Sequence, residues 1–281
     1  MDHRVSGLLR ELQDGVRNYL DSDTFTEWLT AVSRFHRYSI NNIFLILMQY
    51  PGATQVASFR TWKQLGCRVR KGEKGIRILV PVRVRINEKD GAEEEDYEEE
   101  HMLRFKVGHV FDISQVEGTL PEPGIRELTE SVDGFDRFLM AAERIAPVPI
   151  RFATDLQGDV KGYFSPSEKE IVIRAGMPQA QTAKTVLHEL AHAVMHAGPE
   201  SRKIDRATKE VQAESVAYIC SRALLGMESV GEYSFGYIGT WSSSLEVKEL
   251  MASLKEIRDT ASELLDQFRE YLDGEESALC G

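Results

Sequence analysis

The amino-acid sequence predicts an α+β protein of two domains. Three observations support this: apolar residues recur with helical spacing up to about residue 65, they alternate as in β-strands between about 80 and 107, and a proline- and glycine-rich segment then precedes a second helical half. A chain of 281 residues is long enough to bury two ordinary cores. We therefore predict a first domain at 1–117, a linker at 118–127 and a second domain at 128–281.

Composition and cysteine usage narrow the class of protein. The longest unbroken apolar run, residues 43–48, is far shorter than the ~20 residues that span a bilayer, and the charged N-terminus lacks the apolar core of a signal peptide. Cys67, Cys220 and Cys280 are odd in number and form no C-x-x-C pair, which argues against a disulfide framework or a cysteine zinc site. The sequence thus predicts a soluble, cytoplasmic protein with reduced thiols and no membrane partner.

The first domain begins with three predicted helices, at about 5–20, 23–35 and 39–50. The second has an apolar face made of Phe25, Trp28, Leu29, Val32 and Phe35. The third is apolar nearly all round, so we expect it to form the buried centre of this domain. A short helix at 59–65, capped by Ser58, leads into two antiparallel strands near 80–86 and 103–107, which form a β hairpin or sheet.

The charge of this domain is unevenly distributed. The net charge of the chain is −11, yet residues 1–85 contain 14 Lys and Arg against 7 Asp and Glu, a net +7, and nine bases between 60 and 85 are opposed only by Glu73. Cationic side chains beside aromatic rings such as Phe59 and Trp62 are typical of proteins that bind single-stranded nucleic acid, whereas a merely solvated basic strand pair is the alternative. Residues 88–100 are almost wholly acidic and are interpreted as a solvated loop; the sharper hypothesis is that they compete with nucleic acid.

In the second domain, periodicity predicts a helix at 132–145, a strand at 149–153, a hairpin of 160–164 with 170–174, and a long helix at 244–271. The hairpin strand at 170–174 is a candidate to bind an extended peptide along its edge. Residues 226–241, rich in glycine and aromatics, are interpreted as a mobile cover.

An H-E-x-x-H pattern lies in a predicted helix at about 178–197. Residues four apart share one helix face, so His188 and His192 present two imidazoles to one metal ion with Glu189 beside them, as is typical of zinc peptidases. His196 is about 12 Å along the axis from His188, too far to bind the same ion, and is interpreted as a packing residue or a partner of a ligand. The opposite, buried stripe is formed by Leu187, Leu190, Ala191 and Val194. The alternative is a soluble helix with coincidental histidines.

A catalytic zinc ion has three protein ligands and one open position. Glu210, 18 residues after His192, lies in a predicted helix with Glu214 one turn later, on the side of its apolar stripe. Carboxylates facing a core are costly unless a metal or a donor takes them. We therefore predict Glu210 as the third ligand and Glu214 as the acceptor from a ligating histidine; exchanged roles and two solvent-facing glutamates are the alternatives.

In such a site Zn²⁺ lowers the pKa of a water molecule, and Glu189 takes its proton during attack on a peptide carbonyl. The oxyanion needs a further donor, for which Tyr163, Tyr218, Tyr233 and Tyr237 are unranked candidates.

Several segments match one family: Tyr38-Ser39-Ile40-Asn41-Asn42, Gln49-Tyr50-Pro51, Thr61-Trp62-Lys63, residues 69–76, residues 110–115, H-E-L-A-H and residues 210–217, the last also similar to metallopeptidases that act on phage-type repressors. Over nearly its whole length, the chain resembles the ArdC-type antirestriction proteins, which are encoded on mobile elements such as conjugative plasmids. The resemblance implies a domain that binds single-stranded DNA, followed by a zincin-like metallopeptidase domain. The acidic segment at 88–100 looks like an insertion relative to the family, and Glu214 is Asp or Asn in many relatives.

Together with the basic segment, the resemblance predicts DNA contacts from Tyr38, Asn42, Trp62, Lys63, Arg68, Arg70, Lys71, Lys74 and Arg77. The leading interpretation is an antirestriction-type protein that binds single-stranded DNA and carries a zinc peptidase acting on an unknown protein substrate. The alternative is a non-catalytic protein that protects single-stranded DNA and whose zinc site is structural.

Overall fold

The computed structural model describes residues 3–16, 22–85, 101–118, 132–226 and 247–279. They form helices and small sheets in two compact units, which confirms the predicted α+β class. In chain order the elements are α1 (His3–Val16), α2 (Ser22–Phe35), α3 (Ile40–Gln49), β1 (Val56–Ser58), α4 (Phe59–Gln64), β2 (Arg68–Val69), β3 (Ile76–Arg85), β4 (His101–Asp112), β5 (Val116–Glu117), α5 (Val132–Ile145), β6 (Ile150–Ala153), β7 (Gly162–Ser165), β8 (Glu170–Arg174), α6 (Gln179–Met195), α7 (Arg206–Leu225) and α8 (Val247–Leu279).

The first unit comprises Met1–Asn18 and Asn41–Pro121. Its main sheet has the antiparallel order β1-β4-β3, and a short ladder pairs β2 with β5. The predicted strand pair is confirmed, and both strands are longer than the alternating pattern indicated. Ile43, Phe44 and Ile46 of α3 are fully buried, as expected for the centre of this unit.

The second unit comprises Tyr19–Ile40 and Glu122–Gly281, so it includes α2. The predicted apolar face of α2 is buried, but it packs against α7, and Thr30 Oγ1 lies 3.0 Å from Tyr218 Oη. Local periodicity identified the face correctly and carried no information on its partner. The division of the chain at 117–128 into functional domains stays a prediction.

A three-stranded sheet of order β6-β8-β7 supports the helices of the second unit; β6 and β8 are parallel, and β7 and β8 are antiparallel. The prediction that the strand at 170–174 offers an edge to a peptide is wrong, because β8 is hydrogen-bonded on both sides. Within the described part of this sheet, β7 is an edge strand, and it packs against α6.

Several predictions fall on residues outside the described ranges: the acidic segment, most of the linker, and the glycine- and aromatic-rich stretch that contains Tyr233 and Tyr237. Cys67 and Cys220 are buried thiols, and burial raises the pKa of Cys220 to about 12. Among the described helices, none combines the length and apolar character needed to cross a bilayer.

Candidate metal centre

The site is built on two packed helices, α6 and α7. Val186, Leu187, Leu190 and Ala191 of α6 are fully buried and anchor that helix, which leaves His188 and His192 on the face towards α7. The prediction that Val194 belongs to the buried stripe is wrong: it is 39% exposed, because it lies in the last turn of α6. On α7, Ala213, Ala217, Cys220 and Leu224 are buried as expected.

Three donor atoms converge between these helices. The Nε2 atoms of His188 and His192 are 3.2 Å apart, and Glu210 Oε2 lies 3.5 Å from the first and 3.7 Å from the second. All three residues offer a ligand atom within 4.8 Å of one another. The structure thus brings together the three residues predicted as metal ligands, with the carboxylate of Glu210 half exposed rather than facing the core.

The outer nitrogen of His188 is held by Glu214. His188 Nδ1 donates to Glu214 Oε2 at 3.0 Å, and Glu214 Oε1 forms an ion pair with Lys184 Nζ at 3.1 Å. Because a carboxylate only accepts, this bond places a proton on Nδ1 and leaves the Nε2 lone pair of a neutral His188 facing inward. Lys184 lies one helical turn before His188, which is the only sequence signal that pointed to it.

His192 Nδ1 is held by a chain of hydrogen bonds that runs through His196 to Gln212. Gln212 Nε2 donates to Glu256 Oε2 at 3.0 Å and to Ser253 Oγ at 2.9 Å, so its Oε1 faces His196 Nε2 at 2.9 Å. His196 Nε2 must then be the donor, and His196 Nδ1 is left to accept from His192 Nδ1 at 2.9 Å. His196 is therefore a partner of His192, and Gln212 is a site residue that sequence reasoning missed.

These outer contacts allow a test of whether the site fits a metal ion. Each fixes a proton on the outward nitrogen of a histidine, so His188 Nε2 and His192 Nε2 face each other as lone pairs, with an anionic oxygen of Glu210 beside them. Three acceptors this close repel unless a proton or a metal ion lies among them. Two imidazoles and one carboxylate are also the donor set that zinc prefers in catalytic sites. The residues therefore fit a divalent ion.

The pKa shifts have the same origin. Burial lowers the pKa of His188, but its hydrogen bonds with Glu210 and Glu214 outweigh burial and raise that pKa to about 9. The hydrogen bonds with His188 and His192 hold the pKa of the Glu210 carboxyl far below its usual range. Burial raises the pKa of Glu214, yet His188 and Lys184 outweigh burial and lower it. The centre thus attracts positive charge.

Glu189 lies beside the three donors, at the floor of an open cleft of about 760 Å³ that His188, His192 and Glu210 also line. Its side chain is 7% exposed, and burial raises its pKa although the two histidines oppose this. The backbone N–H of Phe164 donates to its carboxylate, which ties it to β7. Gly162 permits this close packing, since a Cβ there would lie 2.8 Å from Thr185 Cγ2.

The two described oxyanion candidates differ in position. Tyr163, on β7, is 37% exposed and lines the cleft with Glu189. Tyr218 is buried, its hydroxyl contacts Thr30, and it does not line the cleft. Its assignment as an oxyanion donor is therefore wrong, whereas that of Tyr163 stays a prediction.

Two of the predicted DNA contacts are corrected by burial. Trp62 is fully buried and its Nε1 donates to Phe111 O at 2.8 Å, so it has no face for a base. Asn42 is buried and uses both ends of its amide on the backbone of Leu79, at 2.9 and 2.8 Å. Tyr38 belongs to the second unit, where it packs edge-on against Phe35.

The remaining predicted DNA contacts lie in the first unit. Arg70 pairs with Glu73 at 3.1 Å, and Arg77 pairs with Glu11 at 2.9 Å. Lys63, Arg68, Lys71 and Lys74 are exposed, as is Arg70, which is paired with Glu73. Phe59, an aromatic residue of the same basic segment, is 56% exposed.

Comparison with known proteins matches both halves of the chain. Residues 3–111 match the N-terminal domain of anti-restriction factor ArdC, and residues 145–225 match the IrrE N-terminal-like domain, a peptidase family. Crystal structures of the antirestriction protein ArdC from plasmid R388 share the fold at 22% identity: the metal-free form has a TM-score of 0.54 over 84% of this chain and 86% of that one, and the Mn(II)-bound form 0.52 over 83% and 84%.

An uncharacterized protein of Bacillus anthracis, pXO2-81, is 24% identical over 91% of this chain, which spans about half, 49%, of that relative. Fold and site thus define a two-domain protein in which an ArdC N-terminal domain precedes a metallopeptidase-like domain. These matches support the resemblance to ArdC-type antirestriction proteins that the sequence indicated.

Proposed function

We propose that the second unit is a metal-dependent peptidase, with Zn²⁺ held by His188, His192 and Glu210. The observation that carries this is the convergence of three lone-pair donors whose outer partners fix their protonation. A solved protein with this fold is described as Mn(II)-bound, so a divalent ion has a precedent in a protein of this fold. Zinc is favoured over manganese by the two imidazole ligands.

When bound, the ion supplies Lewis acidity that lowers the pKa of water and polarises a carbonyl. Glu189 then takes the proton from the attacking water and delivers it to the leaving amine. Its position supports this role: among the described residues that line the cleft, Glu189 is the one acidic residue that is not a proposed ligand. Tyr163 is the candidate donor to the oxyanion from the edge strand.

Two measurements test this proposal together. Metal content of the purified protein is compared with that of His188→Ala and Glu210→Ala, both of which should lose the ion. Glu189→Gln should retain the ion and lose hydrolysis of a denatured protein such as casein, while Glu200→Gln, an exposed acid on the turn after α6, should retain both. Full occupancy in His188→Ala and Glu210→Ala contradicts the site, and activity in Glu189→Gln contradicts the mechanism.

We further propose that the first unit binds single-stranded DNA without sequence preference. Support comes from the exposed cations Lys63, Arg68, Lys71 and Lys74 and from exposed Phe59, which takes the stacking role first given to Trp62. Removing two of these lysines should weaken binding to an oligothymidylate and reduce the steepness of its salt dependence by about two counterions. An unchanged salt slope contradicts the assignment.

In an antirestriction protein these activities have two possible uses. The leading hypothesis is that DNA binding places the peptidase near its protein target, and the alternative is that DNA binding alone protects an incoming strand. Plating of unmodified phage on a restricting host separates them. If Glu189→Gln loses protection while it retains metal and DNA binding, proteolysis is required; if protection is retained, the metal site has a structural role.

A further inference from the structure

The cleft that contains the metal centre has a strongly cationic rim. Arg202 lies on the short 3₁₀ turn Pro199–Lys203 after α6, and Arg206 and Lys209 lie on the first turn of α7. All three line the same cleft as Glu189 and Glu210. We call these three side chains the cationic rim.

The positive charge of the cationic rim contrasts with the net negative charge of the chain around it. The chain from residue 101 onwards has 19 Lys and Arg against 29 Asp and Glu, a net −10, so a local excess of cations at the cleft is not a consequence of composition. Arg206 Nε is 3.8 Å from Glu210 Oε1, and its side chain is 94% exposed. In the parts of the chain that the structure describes, neither Arg202 nor Lys209 forms an ion pair.

The position of the rim relates it to the reacting centre. Arg206 is one helical turn before the predicted ligand Glu210, and Lys209 is adjacent to that ligand in sequence. One turn of helix rises about 5.4 Å, and an extended peptide advances about 3.3 Å per residue. A peptide in the cleft therefore brings side chains within one to three residues of its scissile bond close to the rim.

We propose that the rim selects acidic residues in a polypeptide substrate, at one to three positions from the bond that is cleaved. This deepens the proposed peptidase function and rests on it. A polypeptide is favoured over a nucleic acid because edge strand β7 also lines the cleft, where its main chain can pair with that of a peptide, and because Glu189 and Glu210 in the cleft repel a continuous run of phosphates.

A binding assay tests this without requiring hydrolysis. The zinc-loaded Glu189→Gln protein is titrated against fluorescein-labelled decapeptides that differ only in two central residues, Glu-Glu, Gln-Gln or Lys-Lys, and anisotropy is recorded at low salt. The acidic peptide should bind about 5- to 10-fold more tightly than the neutral one, since each exposed ion pair contributes at most about 1 kcal/mol.

Matched variants assign any preference to the rim. Arg202→Gln combined with Lys209→Gln should abolish the acidic preference, whereas Lys203→Gln should keep it, because Lys203 pairs with Glu200 and does not line the cleft. Because both variants keep the basic first unit unchanged, any binding of acidic peptides to that unit is the same in the two. A preference that survives in the double variant, or equal affinities in the parent, overturns the proposal.

Two further outcomes are informative. If the rim variants weaken binding of fluorescein-labelled oligothymidylate more than binding of the acidic peptide, the rim is a nucleic-acid contact and the proposal is overturned. If casein is not hydrolysed by the unaltered protein yet the acidic preference is present and lost in the double variant, the peptidase function fails while the specificity of the cleft stands.

Discussion

The motif residues of the two units differ in their surroundings. In the second unit, the residues that carry the family signature, His188, Glu189, His192 and Glu210, line an open cleft. In the first unit, the signature residues Asn42 and Trp62 are buried and hydrogen-bonded to the backbone. The same kind of sequence signal thus marks the predicted metal site in one unit and residues that hold the fold together in the other.

The segment at 110–115 shows why the first unit behaves this way. Asp112 is 1% exposed and accepts from the backbone N–H groups of Thr54, Gln55 and Ser114, while Gln115 Oε1 accepts from the backbone of Asp112. Gln115 also donates to Glu73 and to Lys74 O. These bonds fasten the basic turn at 71–75 to the sheet, so they position cations without contacting a ligand themselves.

The largest expected effect contrasts two aromatic residues of one segment. Trp62→Ala should lower the free energy of unfolding of the first unit by about 3–5 kcal/mol, because it opens a cavity and removes the hydrogen bond to Phe111 O. Phe59→Ala should change stability by less than about 0.5 kcal/mol and weaken single-stranded DNA binding by about 1–3 kcal/mol. Calorimetry and anisotropy measure the two quantities.

If the second unit binds zinc as proposed, added zinc identifies the melting transition of that unit, since a ligand raises the melting temperature only of the unit that binds it. The shift caused by Trp62→Ala should appear in the other transition. If the folded Trp62→Ala protein retains its stability but loses DNA binding, the assignment of the two aromatics is reversed.

We expect an intermediate effect from changing the residues that accept hydrogen bonds from the Nδ1 atoms of the two predicted histidine ligands. His196→Leu removes the acceptor of His192 Nδ1, and Glu214→Leu removes that of His188 Nδ1; each should weaken zinc binding by about 10- to 100-fold. Gln212→Leu, one bond further out, should cost less. Competition with a fluorescent chelator measures the affinities.

A matched control and a rescue make this comparison specific. Val194→Ala, an exposed position on the same helix, should bind zinc normally. His196→Asn, which retains an acceptor, should recover part of the lost affinity. If His196→Leu binds zinc as tightly as the parent, the chain from His192 to Gln212 does not tune the metal centre.

The contrast also explains what could be predicted from sequence. The predicted metal ligands could be brought together from sequence because coordination restricts residue type and helix spacing at once, and the structure places donor atoms of His188, His192 and Glu210 within 4.8 Å of one another. Exposure is decided by tertiary packing, and so the basic segment did not distinguish Trp62 from Phe59. The packing partner of α2 and the central position of β8 depend on contacts between distant segments, which periodicity does not encode.

The smallest expected effect concerns Asp112 and pH. Burial raises its pKa, but the hydrogen bonds from Ser114, Thr54 and Gln55 outweigh burial and leave it below its usual value. A carboxyl with a lowered pKa in the folded state stabilises the protein above the pKa of the unfolded chain, about 3.9, and that stability is lost as the pH falls through the folded value. Asp112→Asn should therefore cost about 1 kcal/mol near neutral pH and progressively less on acidification.

Denaturant unfolding of the first unit at a series of pH values between 3 and 7 tests this expectation, with Glu117→Gln as an exposed control from the same unit. The stability difference between Asp112→Asn and the parent should narrow below about pH 4, whereas Glu117→Gln should show no such change. A difference that is constant across this range would mean that Asp112 contributes through shape alone. A narrowing difference instead supports a structural role for the Asp112 carboxylate, which holds the backbone of the first unit together, whereas the exposed cations of the same unit are the proposed DNA contacts.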